Sequence, residues 1–405
     1  MKLLFVSCTL PPEGSAVGVI VNHLAEALVK RGHVVDGLGV KTSLYEKSCV
    51  QTDYMEIFRV NHILSKSAKN KKFMDMAYIL MHRLKNKIQK PSTTIYREEI
   101  VRAFEKKLDQ IFDRYDAIIA VCAYYDAMEA VLRVQRKHEG GPKCILYQVD
   151  PLSENEIYAQ EKIIDVANYE KEIYRSCYAV LTTPLIYALK NNKADAKEWN
   201  INHVVSTEFP GLVETDSNVS IPKNKNEIRC VFAGYLYGTI RDARFTLELF
   251  SKLQDQRIQL YIIGSGQEEL LQQYAQGALA GKLHCLGQLP SEVCNAWLAS
   301  ADVLVNIGNS ASNQVPSKLF TYLSYGKTIL NVMMQKNCPT KPYMDRYPLA
   351  INIEHTANVD DMVPQVETAI LSQLHQRLPL KAVQNLFPQC TPDYVAEQLL
   401  DSIEL

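Results

Sequence analysis

Short apolar runs of strand length alternate with longer segments of helical period along most of this chain, and no other feature restricts its fold as much. Leu3-Leu4-Phe5-Val6 is the first run. The breaker-rich stretch Pro11-Pro12-Glu13-Gly14-Ser15 to Gly18 follows, then apolar positions at Val21, Leu24, Ala25, Leu28 and Val29, with Gly32 to stop the helix. His33-Val34-Val35 starts a second run, and later ones fall at Ala117 to Cys122, Cys144 to Val149 and Ala179 to Thr182. Such β-then-α repetition predicts a parallel, doubly wound sheet.

Residues 211 to 227 are polar, aperiodic and rich in breakers, and they are the expected linker. Beyond it the alternation restarts, with strands at 228 to 233, 258 to 263, 282 to 286 and 302 to 306 and helices at 243 to 253, 267 to 276 and 291 to 299. The expected organisation is an α/β chain of two Rossmann-like doubly wound domains, 1-210 and 228-387, joined by 211-227. The C-terminal segment from about 388 to 405 is expected to pack back onto the first. In this architecture ligands bind outside the carboxyl ends of the strands, so the two domains would face each other across a ligand-binding cleft. A length of 405 residues accommodates two such cores.

The net charge of -1 supplies no global field to draw the molecule onto nucleic acid. Ten scattered cysteines without a Cys-x-x-Cys pair read as small buried hydrophobes in a reducing compartment. No signal segment and no apolar stretch approaching the ~20 residues of a membrane span is found. A cytoplasmic protein is expected.

Candidate binding residues gather where predicted strands of the second half end. Gly264-Ser265-Gly266 follows Leu260-Tyr261-Ile262-Ile263 and opens a helix; Gly264 and Gly266 either let the backbone approach a ligand or make a plain tight turn. The third glycine of the dinucleotide fingerprint is missing, which counts against a nicotinamide dehydrogenase. Pro316, Ser317 and Lys318 lie between an aperiodic loop and a helix containing Leu319, Phe320, Tyr322 and Leu323, so they form either an anion site or an ordinary helix start with a solvated lysine. Gly326-Lys327-Thr328 resembles the end of a P-loop, but Thr321 stands where its first glycine belongs and a strand follows, so it reads as a turn.

Arg241 and Arg244 come after the loop Gly234-Tyr235-Leu236-Tyr237-Gly238, where a guanidinium fork suits a diphosphate. Arg241, nearer the strand end, is the better candidate. Asp150 ends an apolar run before Pro151 and can orient a hydroxyl or accept its proton, or simply make an Asx turn; Glu13 has the same two readings. From Lys66 to Lys90 eight Lys or Arg face one acid, Asp75, interleaved with Phe73, Met74, Met76, Ile79, Leu80, Met81 and Leu84. This is either a basic amphipathic helix able to lie on an anionic membrane or a helix whose apolar face packs on its own domain.

Taken together, these residues make the chain similar to family 4 glycosyltransferases of the GT-B fold. In the first half the resemblance rests on Pro11-Pro12-Glu13-Gly14, His23-Leu24-Ala25-Glu26-Ala27-Leu28, Arg31-Gly32-His33-Val34-Val35 and Asp150-Pro151. In the second it rests on Val231-Phe232-Ala233-Gly234, Ile262-Ile263-Gly264-Ser265-Gly266, Leu286-Gly287, Ala301-Asp302-Val303-Leu304-Val305 and Pro316-Ser317-Lys318-Leu319-Phe320-Thr321-Tyr322. The resemblance implies transfer of a sugar, with retention, from a nucleoside diphosphate sugar to a saccharide or lipid-linked acceptor in polysaccharide or glycoconjugate biosynthesis. It implies a donor site at Gly234, Arg241, Gly264, Gly266, Pro316, Ser317, Lys318 and Thr321, catalytic positions at Asp150 and Asn313, and an acceptor-side loop at Glu13, Gly14 and Gly18. No metal or cofactor is expected, since arginine and lysine can hold the diphosphate. The family commonly carries two glutamates where this chain has Asn313 and Thr321, which bond hydroxyls but are not carboxylates. That departure keeps two alternatives open: a non-catalytic GT-B subunit supporting a partner transferase, and a GT-B sugar-nucleotide epimerase.

Overall fold

A computed structural model describes residues 1–405 apart from 12–14, 63–71, 89–92, 94, 123, 156–160, 162–163, 193–198, 200–202, 216–218 and 405, and apart from the side chains of 82–88. The chain divides into two compact units, Met1–Pro210 with Pro392–Leu405, and Gly211–Thr391.

The first unit holds an eight-stranded sheet among its described residues, made of β1 (Lys2–Val6), β2 (Val34–Val40), β3 (Cys49–Gln51), β4 (Glu56–Val60), β5 (Ala117–Cys122), β6 (Lys143–Gln148), β7 (Ala179–Thr182) and β8 (Val204–Ser206), in the order β3-β4-β2-β1-β5-β6-β7-β8. Only the edge pair β3 and β4 is antiparallel. β5 is buried along its whole length, as expected of a strand covered on both faces. Helix α1 (Ala16–Lys30) starts at Ser15, whose hydroxyl accepts the Gly18 amide at 2.9 Å. Gly18 is therefore in the first helical turn, with its amide in use; its placement in the acceptor-side loop is corrected. Glu13 and Gly14 lie outside the described residues. The other helices are α2 (Phe73–Ile88), α3 (Glu98–Ile111), α4 (Asp126–Gln135), α5 (Val166–Ser176) and α6 (Pro184–Asn191). The last helix of the chain, Pro392–Glu404, completes this core: Val395, Ala396, Leu399 and Ile403 join Leu3, Val21, Leu24 and Leu28 in one buried cluster, and Arg31 pairs with Asp393 at 2.5 Å.

Among its described residues the second unit holds a wholly parallel six-stranded sheet of β9 (Ile228–Tyr235), β10 (Ile258–Ser265), β11 (Leu283–Gly287), β12 (Val303–Ile307), β13 (Thr328–Met333) and β14 (Ala350–Glu354), in the order β11-β10-β9-β12-β13-β14. Its helices are α7 (Arg244–Lys252), α8 (Glu268–Gln276), α9 (Ser291–Ser300), α10 (Lys318–Ser324), α11 (Lys341–Met344), α12 (Val359–Ser372) and α13 (Leu380–Leu386), and the helix Pro392–Glu404 already described is α14. The chain starts in β9, builds outward through β10 and β11, then returns to β12 on the other side of β9. The point where strand order reverses therefore lies between β9 and β12, where a sheet of this kind opens a crevice at its carboxyl end. The segment expected as a linker is counted with this unit from Gly211 onward. There Gly211 and Leu212 donate their amides to the Cys390 carbonyl at 3.0 and 3.1 Å, and Ser324 of α10 donates to the Gly211 carbonyl at 3.0 Å.

Seven cysteines are buried, as small hydrophobes should be, but Cys49 and Cys285 are exposed and Cys294 is half-buried. Cys49 and Cys285 sit on edge strands, where one face has less cover. Among the described residues no helix is long and apolar enough to cross a membrane.

Candidate functional site

The loops leaving β9, β10 and β12 in the second unit are laced together by backbone contacts that leave no room for side chains. A Cβ on Gly264 would lie 1.8 Å from the Gly234 carbonyl oxygen, and one on Gly266 would lie 2.0 Å from that of Leu236. Both glycines have positive φ, +131° and +100°. Leu236 donates its amide to the Ser265 carbonyl at 2.9 Å. These glycines thus serve the close approach of two loops, and the Gly266 amide is taken by Glu268 Oε1 at 2.7 Å. Of the two sequence readings of Gly264 and Gly266, the structure supplies a partner for the tight turn. Gln267, a non-glycine at φ +55°, continues the lacing: it accepts from the Ala243 amide at 2.9 Å and donates to Asp242 at 2.9 Å.

Arg241 occupies the middle of this construction. Its Nη1 lies 3.2 Å from the Cβ that Gly234 lacks, so the glycine makes room for the guanidinium. Nη1 donates to the Tyr235 carbonyl at 3.3 Å and Nη2 to Asn309 Oδ1 at 2.7 Å, while Nε has no hydrogen-bond partner among the described residues. Desolvation pulls its pKa below the usual arginine value, with Tyr322 and Tyr237 opposing. Among the described residues no carboxylate pairs with it, in contrast to Arg244, which is exposed and bound to Asp242 at 2.9 Å. A desolvated cation whose bonds are to neutral acceptors has capacity left for an anion.

Asn309 is a site residue that sequence reasoning missed. It is buried in the loop after β12, and its neighbour Ser310 donates its amide to the Ile240 carbonyl at 2.7 Å, tying that loop to the one carrying Arg241. The only sequence signal was the aperiodic stretch after the strand. On the rim of the β9 loop, Tyr235 and Tyr237 are exposed with ring centroids 4.5 Å apart, offering aromatic faces beside Arg241.

Helix α10 is held to the end of β9 by Tyr322, whose hydroxyl accepts the Ala233 amide at 2.8 Å. Burial pushes this phenol's pKa well up, so it stays neutral and keeps its role as a hydrogen-bonded pin. Pro316 is buried, and its carbonyl accepts from Leu319 at 3.0 Å, while that of Ser317 accepts from Phe320 at 3.2 Å. Lys318 opens the helix, half-buried, with no ion pair among the described residues; its charge acts on Cys294 of α9, holding down a thiol pKa that burial raises. Asn313 and Thr321 are both half-buried in the stretch between β12 and the middle of α10. Lys327 is spoken for: its ammonium donates to the carbonyls of Leu298, Ala299 and Ala301 at the end of α9. In the first unit Asp150 follows β6 and is half-buried.

Beside the β10 loop, a cavity of about 380 Å³ is lined by Ile262, Gly264, Gly266, Leu271, Cys285 and Gly287, among others. It lies between α8 and the ends of β10 and β11.

Residues 227–336, the stretch that contains the loops leaving β9, β10 and β12, match the sequence profile of the family described as "Glycosyl transferases group 1". No curated protein matches the chain in sequence. Among solved structures, the apo form of the lipopolysaccharide outer core galactosyltransferase WaaB is similar over 100% of this chain and 99% of its own, at 13% identity and a TM-score of 0.60. The E. coli trehalose-6-phosphate structure bound with UDP-2-fluoro glucose is similar over 100% and 99%, at 12% identity and a TM-score of 0.66. A putative UDP-N-acetylglucosamine 2-epimerase from Listeria monocytogenes is similar over 100% and 95%, at 11% identity and a TM-score of 0.58. The fold is the GT-B fold of two Rossmann-like domains, and the profile match falls on the unit that carries Arg241 and Lys318.

Proposed function

We propose that the protein transfers a sugar, with retention, from a nucleoside diphosphate sugar to a saccharide or lipid-linked acceptor. The observation that carries this reading is Arg241, a desolvated cation without a carboxylate partner among the described residues, set after the end of β9 in a loop that Gly234 opens for it. In this reading Arg241 and Lys318 bind the diphosphate. As the bond from the anomeric carbon to the phosphate oxygen breaks, its electron pair leaves with the diphosphate, and two cations in a partly desolvated site stabilise that charge without a metal. The acceptor hydroxyl then bonds to the anomeric carbon on the face that the diphosphate leaves, which retains the configuration, and its proton passes to the departing diphosphate oxygen. Asp150 is the candidate to orient that hydroxyl, and Asn313 the candidate to bond the transferred sugar.

Release of nucleoside diphosphate from candidate donors, measured with and without saccharide acceptors, tests the reading. Acceptor-dependent release is the expected result. A second reading, a non-catalytic subunit that binds the donor, is favoured by one observation: the two positions where the resemblance implies glutamates hold Asn313 and Thr321. Donor binding with no release under any acceptor would select it. Isomerisation of the donor sugar without an acceptor would select an epimerase.

A further inference from the structure

Helix α2 turns its apolar side chains outward. Phe73 at 79%, Met81 at 63% and Leu80 at 59% are the three most exposed large apolar side chains described in the molecule, and Met74 and Met76 are exposed as well. All five lie within less than three turns of one helix. What faces inward is Asp75, Tyr78 and Ile79. Asp75 is 1% exposed and accepts from the Leu44 amide at 2.8 Å and the Ser43 hydroxyl at 2.7 Å. Tyr78 is 3.1 Å from His62 Nδ1, with the two rings edge to face. For the described part of the segment this counts against an apolar face packed on its own domain: of the six apolar residues Phe73, Met74, Met76, Ile79, Leu80 and Met81, Ile79 is the one buried on the domain.

The charge pattern has the same sense. Asp75 is the only acid between Lys66 and Lys90, and it is buried and bonded to its own domain, so it adds no negative charge to the outer surface. The eight cations of the segment, Lys66, Lys69, Lys71, Lys72, Arg83, Lys85, Lys87 and Lys90, bracket the exposed apolar residues in sequence. Lys72 lies 4.5 Å from the ring centre of Tyr45, itself half-exposed, so the aromatic surface continues onto the loop after β2. A second copy of the chain would meet this face through an isologous contact that sets one basic segment against the other, which like charge opposes. An anionic lipid surface satisfies both features together, taking apolar side chains at the acyl boundary and cations at the headgroups.

We infer that α2 is a docking helix for an anionic membrane, lying in the plane of the interface with Phe73, Met74, Met76, Leu80 and Met81 inserted. This stands on residues of the first unit alone and is independent of the donor-site reading.

Co-sedimentation of the full chain with vesicles of phosphatidylglycerol in phosphatidylcholine tests it, with phosphatidylcholine vesicles for comparison. The expected result is binding to the anionic vesicles only, weakened as salt approaches about 1 M, where the screening length falls to about 3 Å. Replacing Phe73, Leu80 and Met81 together by serine should weaken binding about ten-fold or more, since insertion scales with buried apolar area. Phe73→Trp in the otherwise native chain gives a second readout that needs no loss-of-function variant: the emission of the introduced indole should shift to the blue on adding anionic vesicles. Absence of binding to anionic vesicles, binding indifferent to the triple replacement, or an unshifted emission in the Phe73→Trp variant would each overturn the inference. So would a dimer that the triple replacement disperses.

Discussion

Arg241 and Asn309 are 68 residues apart in sequence and joined by one hydrogen bond of 2.7 Å, from Nη2 to Oδ1. The amide fixes the guanidinium without neutralising it, which a carboxylate at the same position would do. Two substitutions separate these effects. Asn309→Ala should lower both thermal stability and affinity for a nucleoside diphosphate, the latter by roughly ten-fold, since bonds to charged groups contribute about 1.5 to 3 kcal/mol. Asn309→Asp should keep or raise the melting temperature while weakening nucleotide binding, because Arg241 then has an internal anion. Calorimetric titration beside thermal melts checks both, and an unchanged affinity in Asn309→Asp would remove Arg241 from the phosphate site.

Gly264 is a place where one methyl group is expected to matter. With φ +131° and the Gly234 carbonyl 1.8 Å from a would-be Cβ, Gly264→Ala must push the β9 and β10 loops apart. Backbone strain and overpacking together predict a loss of about 2 to 4 kcal/mol in the second unit, together with weaker nucleotide binding. Ser265→Ala next to it loses only an exposed contact with Gln288 and should stay within about 0.5 kcal/mol of wild type. Denaturant unfolding of the two variants makes the comparison.

His23 predicts a pH dependence for the first unit. Its Nδ1 lies 2.8 Å from the Pro210 carbonyl, so Nδ1 carries the proton in the neutral ring, and burial lowers the pKa below 6.5 although the carbonyl opposes. A folded pKa below the unfolded one means that the unfolded state binds the proton first as pH falls. The stabilisation from burying the neutral ring is therefore fully present above 6.5 and is lost as pH drops from there through the depressed folded value. His23→Gln can still donate to Pro210 but does not titrate in this range. Its melting temperature should fall less than that of wild type between neutral pH and about pH 5, and parallel curves would show that His23 is not the group responsible.

Fully covered strands were the most legible part of the fold. β5, β12 and β13 are buried along their length, so each reads as a largely apolar run. The short edge pair β3 and β4, the three-residue β8 and the outermost β14 gave no such run, because a strand at or near an edge is covered on fewer sides. In the site, the sequence pointed to Gly234, Arg241 and Lys318 because glycine and cations stand out after a strand. Asn309 was invisible for the opposite reason: an asparagine in an aperiodic loop is unremarkable until the chain brings Arg241 to it. For α2, the sequence marked which residues were apolar, but the face that turns outward is fixed by the bonds of Asp75 to Ser43 and Leu44, the contact of Tyr78 with His62 and the burial of Ile79.

Lys318 and Arg241 are both assigned to phosphate oxygens and neither to base or ribose, so replacing either should affect ligands unequally. Lys318→Ala and Arg241→Ala should each weaken a nucleoside diphosphate on the order of ten-fold or more, at about 1.5 to 3 kcal/mol per charged bond. The parent nucleoside should bind almost unchanged. That ligand is the internal control, since unfolding or distortion of the β9 and β12 loops would weaken both. Arg241 is the more open to this confusion, because it is half-buried and bonded to Tyr235 and Asn309; Lys318, with no ion pair among the described residues, is the cleaner probe. Equal losses for nucleoside and diphosphate in Lys318→Ala would sink the phosphate assignment. If the diphosphate effect appears in both variants while no donor is ever turned over, Asn313→Glu and Thr321→Glu become the decisive substitutions. Glutamates restored at those two positions should produce measurable diphosphate release if their absence is what silences the site, and should leave it silent if the chain only binds the donor.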